Sequence, residues 1–134
     1  ARARAECQRV LVPGGSVALV WNLRLASDPL HQALDAVFAR FGGPRREAMQ
    51  EDLIEDLAPA FFPGPCSAPE WPHAHVLDEA GLLALAFSRS YMPVRDSVEG
   101  QAAAQALRAV FASLSQAGGV SVRYTTRAWI GRVH

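Results

Sequence analysis

Residues 9–22, Arg-Val-Leu-Val-Pro-Gly-Gly-Ser-Val-Ala-Leu-Val-Trp-Asn, narrow the folds open to this chain more than any other stretch. Pro13 has no N–H with which to continue a helix, and Gly14 and Gly15 allow the positive φ of a tight reversal. Val17 to Trp21 is then a short continuous apolar run that stops at Asn22. Such a run predicts a strand over residues 16–22 covered on both faces, as in the interior of a parallel α/β sheet. Residues 1–11, with Ala5, Val10 and Leu11 among arginines, read as a short amphipathic helix leading into the turn.

Beyond this strand the pattern alternates between helical and extended. Asp28 is a good N-cap with Pro29 at the first helical position, and Leu30, Leu34, Val37, Phe38 and Phe41 form a helical stripe. Gly42-Gly43-Pro44 predicts the end of that helix. A second, more acidic helix is expected over residues 45–58, with Met49, Leu53, Ile54 and Leu57 as its apolar face. Residues 59–72 hold five prolines around Phe61, Phe62 and Trp71 and read as a loop that buries aromatic rings. Residues 73–77 are a weak strand. Asp78 caps a helix over 79–88, whose face is Leu82, Leu83, Leu85, Ala86 and Phe87. The longest helix is expected over 98–115, with Ala102, Leu107, Val110, Phe111 and Leu114 inward. Val120 to Val133 has strand period, with Val120, Val122, Tyr124, Thr126, Ala128 and Ile130 on one face and Ser121, Arg123, Thr125, Arg127 and Trp129 on the other.

A chain of 134 residues is long enough for one domain with a real core. Thirteen basic residues, all arginine, balance thirteen acidic ones, so nucleic acid is not expected as a partner. The absence of lysine reads as codon bias. No apolar run has the length of a membrane span, and Cys7 and Cys66 do not make a disulfide framework. A reduced, cytoplasmic setting is the expectation.

The R-V-L-x-P-G-G-x-x-x-L-V-W-N pattern closely resembles the segment leading into the fifth strand of class I S-adenosylmethionine-dependent methyltransferases. Two later segments extend the resemblance over the whole chain. Residues 78–91 are similar to the D-x-x-G-L-L-x-L-x-x-S-R-S-Y of a small-molecule subgroup related to the trans-aconitate and ubiquinone-type enzymes, and Tyr124 to Trp129 is similar to its closing Y-x-T-R-x-W strand. The resemblance implies a partial Rossmann-like α/β sheet, strands five, seven and six in spatial order, mixed with an antiparallel last strand and flanked by helices. It departs from the family at the cofactor. No G-x-G-x-G follows a strand, so strands one to four and the S-adenosylmethionine site are expected to be missing, and residues 1–134 to form one carboxyl-terminal methyltransferase-like domain.

Two functions follow as expectations: part of a methyltransferase acting on a small molecule, unable to hold cofactor alone, or a methyltransferase-derived module without catalysis. The strand at 16–22 would present an edge, predicting either a homodimer through it or pairing with the missing amino-terminal half. By resemblance, Trp21, Asn22 and Arg24 fall near the methyl acceptor, at the carboxyl end of a strand where open α/β sheets bind ligands, and Arg89 and Tyr91 border the substrate cleft. The bland alternatives are that Trp21 fills the core, Asn22 closes a turn, Arg89 pairs with an acid and Tyr91 packs. His73 and His75, at i and i+2, share one side of a strand. A zinc site there would need Cys66, Asp78 or His31 as well, and solvent-facing or structural histidines are the simpler expectation. No nucleophile motif is present. Glu51, Asp52, Glu55 and Asp56 read as a solvated helix face, and Arg123, Arg127 and Arg132 with Trp129 as a small basic strip.

Overall fold

A computed structural model describes residues 2–47 and 54–134. The predicted positions of Met49, Glu51, Asp52 and Leu53 lie outside the described residues. The element order is α1 (Arg2–Val10), β1 (Ser16–Arg24), α2 (Pro29–Glu47), α3 (Ile54–Ala60), β2 (Cys66–Ser67), β3 (Glu70–Leu77), α4 (Glu79–Phe87), α5 (Val98–Leu114) and β4 (Val120–Arg132). The architecture is α/β, with an open four-stranded antiparallel sheet. β4 pairs with β1, with β2 and with β3. Cys66 stands opposite Gly131 and Ser67 opposite Ile130, and the Ala128 amide donates to the Pro69 carbonyl just ahead of β3. Each of these pairings includes the last strand, β4.

The turn ahead of β1 forms as its residues require. The Gly15 amide donates to the Val12 carbonyl at 2.9 Å, and Gly14 has φ +80°, so Pro13 and Gly14 are the central residues of a type II turn. The strand itself corrects the sequence expectation. Val17, Leu19 and Leu23 are partly buried while Ser16, Ala18 and Val20 are exposed, so β1 is covered on one face rather than two. In α1, Val10 and Ala5 are exposed, and Cys7, with Leu11 just beyond the helix, packs on the core.

The chain divides into two compact units. The first comprises Ala1–Leu23, Glu51–Pro72 and Thr125–His134. Its core is Ala58, Phe62, Trp129 and Val133, with Cys7, Leu11, Val17, Leu19, Leu23, Ile54, Phe61 and Cys66 against it. Gly131 has no side chain because the Phe62 ring fills that space: an added Cβ would lie 2.7 Å from Cδ1 of that ring. Three expectations fail in this unit. Residues 59–72 are not all loop, because β2 and the start of β3 fall within them; Trp71 is half-exposed on β3; and Leu57 faces solvent. Pro72 inside β3 is tolerable because a sheet edge does not demand every N–H.

The second unit comprises Arg24–Gln50 and His73–Tyr124. Asp28 caps α2 as predicted, its Oδ1 accepting from the amides of Leu30 (2.9 Å) and His31 (3.2 Å). Leu30, Leu34, Val37 and Phe38 then form the buried stripe. The helix is interrupted at Gly43, at φ +53°; the parts of the expected helix over 45–58 that fall among the described residues are helical, through Glu47 and from Ile54 in α3. Asp78 caps α4 through a 2.7 Å bond from the Gly81 amide. α5 packs on both α2 and α4. Its buried residues are Gly100, Ala103, Ala104 and Leu107, whereas Ala102 is exposed, a shift of the predicted face. Val120 and Val122 of β4 complete this core. The hairpin before β4 closes through reciprocal Gln116–Gly119 backbone bonds (2.8 and 3.1 Å), with Ala117 at φ +49° and Gly118 at φ +79°, a type I′ turn.

Candidate functional site

The residues expected at a ligand site divide between the units. Trp21 and Asn22 are in the first. Trp21 is 47% exposed, so it does not fill the core, and Asn22 stays within β1, its Oδ1 accepting from Thr126 Oγ1 at 2.7 Å instead of closing a turn. Arg24, Arg89 and Tyr91 are in the second unit, where they meet residues the sequence pattern did not single out.

Contacts within the unit link them to further residues. Arg24 Nη1 bonds Asp35 Oδ1 at 2.6 Å, and Arg46 Nη2 stands 3.6 Å from the same oxygen. The stem of Arg46 and the ring of Tyr91 both crowd Gly42: a Cβ there would lie 2.9 Å from Arg46 Cβ and 3.0 Å from Tyr91 Cδ2. Tyr91 is buried and packs edge-on against Phe38, centroids 5.8 Å apart. The Arg89 guanidinium lies over Phe38 at 4.8 Å and 5.9 Å from the Tyr91 centroid, cation–π distances that hold it in place. The charges of Arg89 and Arg24 are also felt at Tyr124. Burial pushes the Tyr124 phenol above its ordinary range, and the positive charges of Arg89 and Arg24 pull it part of the way back. At neutral pH it is therefore a hydrogen-bond donor.

Two imidazoles flank Tyr124. His73 stacks on it, centroids 5.5 Å apart with planes at 26°, and His31 meets it edge-on at 5.5 Å. His31 is 2% exposed, and its Nε2 lies 2.6 Å from the Arg123 carbonyl oxygen, which can only accept; Nε2 therefore carries the proton when the ring is neutral. His75 is exposed, and among the described residues no group of three or more His, Cys, Asp or Glu side chains could hold a metal ion. The zinc alternative has no geometric support there.

The basic strip is also dispersed. Arg127 bonds both Glu55 and Glu70 and lies 5.5 Å from the Trp129 centroid, while Arg123 stands 4.0 Å from Asp28. Trp129 is buried, so it offers no face to a nucleobase. The sequence did not show that Asp35 and Arg46 meet Arg24, or that His31 and His73 flank Tyr124. The one available signal was Gly42, which reads as a helix end and also clears the space in which Arg46 and Tyr91 approach. No helix among the described residues is long and apolar enough to cross a membrane. No protein-family model matches the chain, and neither does any curated protein sequence.

Proposed function

We propose that this chain is the carboxyl-terminal portion of an S-adenosylmethionine-dependent methyltransferase acting on a small molecule. The observation that carries the reading is the strand order. β4, the last strand, pairs with β1 on the one hand and β3 on the other, always antiparallel, which is the order five, seven, six that the resemblance implies. On this reading the sheet is part of a Rossmann-like one.

The described residues do not fit the cofactor. The family's glycine-rich turn follows a strand, where successive amides meet an anion or a ribose. Here Gly14 and Gly15 precede β1, Gly118 and Gly119 precede β4, and Gly42 and Gly43 lie within α2. This chain is therefore assigned to the acceptor: its residues bind and orient a small molecule and exclude water from it, which is the protein's main contribution to a group transfer between bound partners. The test is calorimetry of the chain with S-adenosylmethionine, together with the coding sequence immediately upstream. No binding, and an in-frame strand followed by G-x-G-x-G, are expected. Tight stoichiometric binding, or an upstream sequence without that turn, overturns the reading.

A second reading, a methyltransferase-derived module without catalysis that forms a homodimer through β1, is favoured by one observation. β1 ends the strand order with Val20 59% and Trp21 47% exposed. Sedimentation equilibrium separates the two, since a stable monomer counts against the module.

A further inference from the structure

We propose that the cavity at the start of α2 binds a small zwitterion, an α-amino acid with an apolar side chain, between Asp28 and Arg123. The cavity lies wholly within the second unit and measures about 370 Å³, a size ordinary for small-molecule sites. The start of α2, Val76 of β3, the end of α5 and the first residues of β4 form its walls. Two opposite charges meet there without satisfying each other. The Asp28 side chain is only 7% exposed, and its Oδ1 is taken by the amides of Leu30 and His31. Arg123 Nη1 stands 4.0 Å from Oδ2, longer than a charge-assisted hydrogen bond by about 1 Å. Among the described residues no hydrogen bond reaches Oδ2. Buried polar atoms are normally hydrogen-bonded, so this carboxylate keeps an acceptor in reserve. Arg123 holds His31 through its carbonyl, which leaves the guanidinium uninvolved in that bond. Both residues line the cavity.

The larger depression in the same unit, about 660 Å³ along α5, lacks this arrangement. Arg95, Asp96, Gln101, Gln105 and Arg108 line it and all are exposed, and Arg108 is paired with Glu79 at 3.3 Å. No buried polar group faces a ligand there.

The charges at Asp28 and Arg123 cancel, which decides the class of ligand. A molecule with a single charge would pair with one of them and strand the other, a costly outcome for a buried group. A molecule with an ammonium and a carboxylate on one carbon answers both. Its ammonium donates to Asp28 Oδ2, and its carboxylate accepts from the planar fork of Arg123. Ser121 and Gln116 add a hydroxyl and a side-chain amide to the lining. Pro29, Leu30, Val76, Leu114 and Val120 supply apolar wall, which suits an aliphatic or aromatic side chain. The site does not rest on the methyltransferase proposal.

The experiment is calorimetric titration of the full chain with L-leucine and, separately, with L-phenylalanine, in buffer without cofactor. One-to-one binding of at least one of them is expected. The N-acetylated and the amidated forms of that amino acid, which each lack one of the two charges, are expected to bind at least tenfold more weakly. They test both contacts on the unaltered chain. Arg123→Met and Asp28→Asn are each expected to weaken binding at least tenfold. Asparagine still caps a helix, so the second change reads the charge rather than the start of α2. Arg108→Met, outside the cavity, is expected to leave binding unchanged, and circular dichroism checks that each variant keeps the fold. Heat from neither amino acid, either derivative binding as tightly as the free amino acid, or equal weakening by Arg108→Met overturns the proposal. Because the titration contains no S-adenosylmethionine, its outcome is independent of whether the chain belongs to a methyltransferase.

Discussion

Gly100 sits at the third position of α5, where helix propensity and packing predict opposite outcomes for alanine. Ser97 caps the helix, its Oγ accepting from the Gly100 amide at 3.0 Å. The chain just before the cap folds back so that the Val94 carbonyl accepts from both the Ser97 amide (3.0 Å) and the Ser97 hydroxyl (2.7 Å). That carbonyl lies directly over Gly100. A Cβ added there would be 2.0 Å from Val94 O and 2.7 Å from Arg95 O, both backbone atoms. Propensity alone gives Gly100→Ala a gain of about 1 kcal/mol. Against it, the carbonyl must retreat by at least about 1 Å to reach even the shortest real Cβ contacts. Overpacking of this kind costs about 1–3 kcal/mol or more, and the two bonds to Ser97 that the movement strains contribute about 1 kcal/mol each. The net expectation is a loss of about 2–4 kcal/mol. Urea unfolding followed by circular dichroism measures it, with Gly64→Ala, where nothing lies within 4 Å of the added carbon, as the neutral control. A Gly100→Ala chain as stable as the parent, or more stable, would refute the argument that backbone approach dictates glycine here.

Ala117 occupies a left-handed position in the type I′ turn before β4, which costs an L-residue about 1–2 kcal/mol. Ala117→Asn, matching the Asn-Gly preference of that turn, is expected to raise stability by about 1 kcal/mol in the same urea assay. Absorbance at 295 nm under alkaline titration should show one of the two tyrosines titrating above the ordinary value near pH ~10, and Tyr124→Phe should remove that component. Since the folded chain holds the Tyr124 proton more tightly than the unfolded chain, its contribution to stability is intact below pH ~10 and falls as pH rises through the folded value.

How much could be read in advance depends on how local each feature is. The helix caps at Asp28 and Asp78 were legible because a cap is written within three residues of itself. The type II turn was legible for the same reason. β1 was misjudged because an apolar run states only that burial is affordable, and the exposure of Ala18 and Val20 depends on what lies over them. β3 was shortened because Pro69 and Pro72 read as loop, although an edge strand accepts Pro72. Arg24, Arg89 and Tyr91 were named from the sequence, but Asp35 and Arg46 join them only through tertiary contacts. Arg127 likewise finds Glu55 and Glu70, 72 and 57 residues away, where sequence proximity suggested Arg123 and Arg132.

Pro72 in β3 has a further bearing on β1. A sheet grows by adding strands at its margins, and a strand with a proline inside it is a poorer template for a neighbour. β1, nine residues without proline, is a good one. A sheet with one receptive margin and one refractory margin accepts a single addition and then stops. A strand docked on β1 would leave the opposite margin, with Pro72, a poor template for a further one.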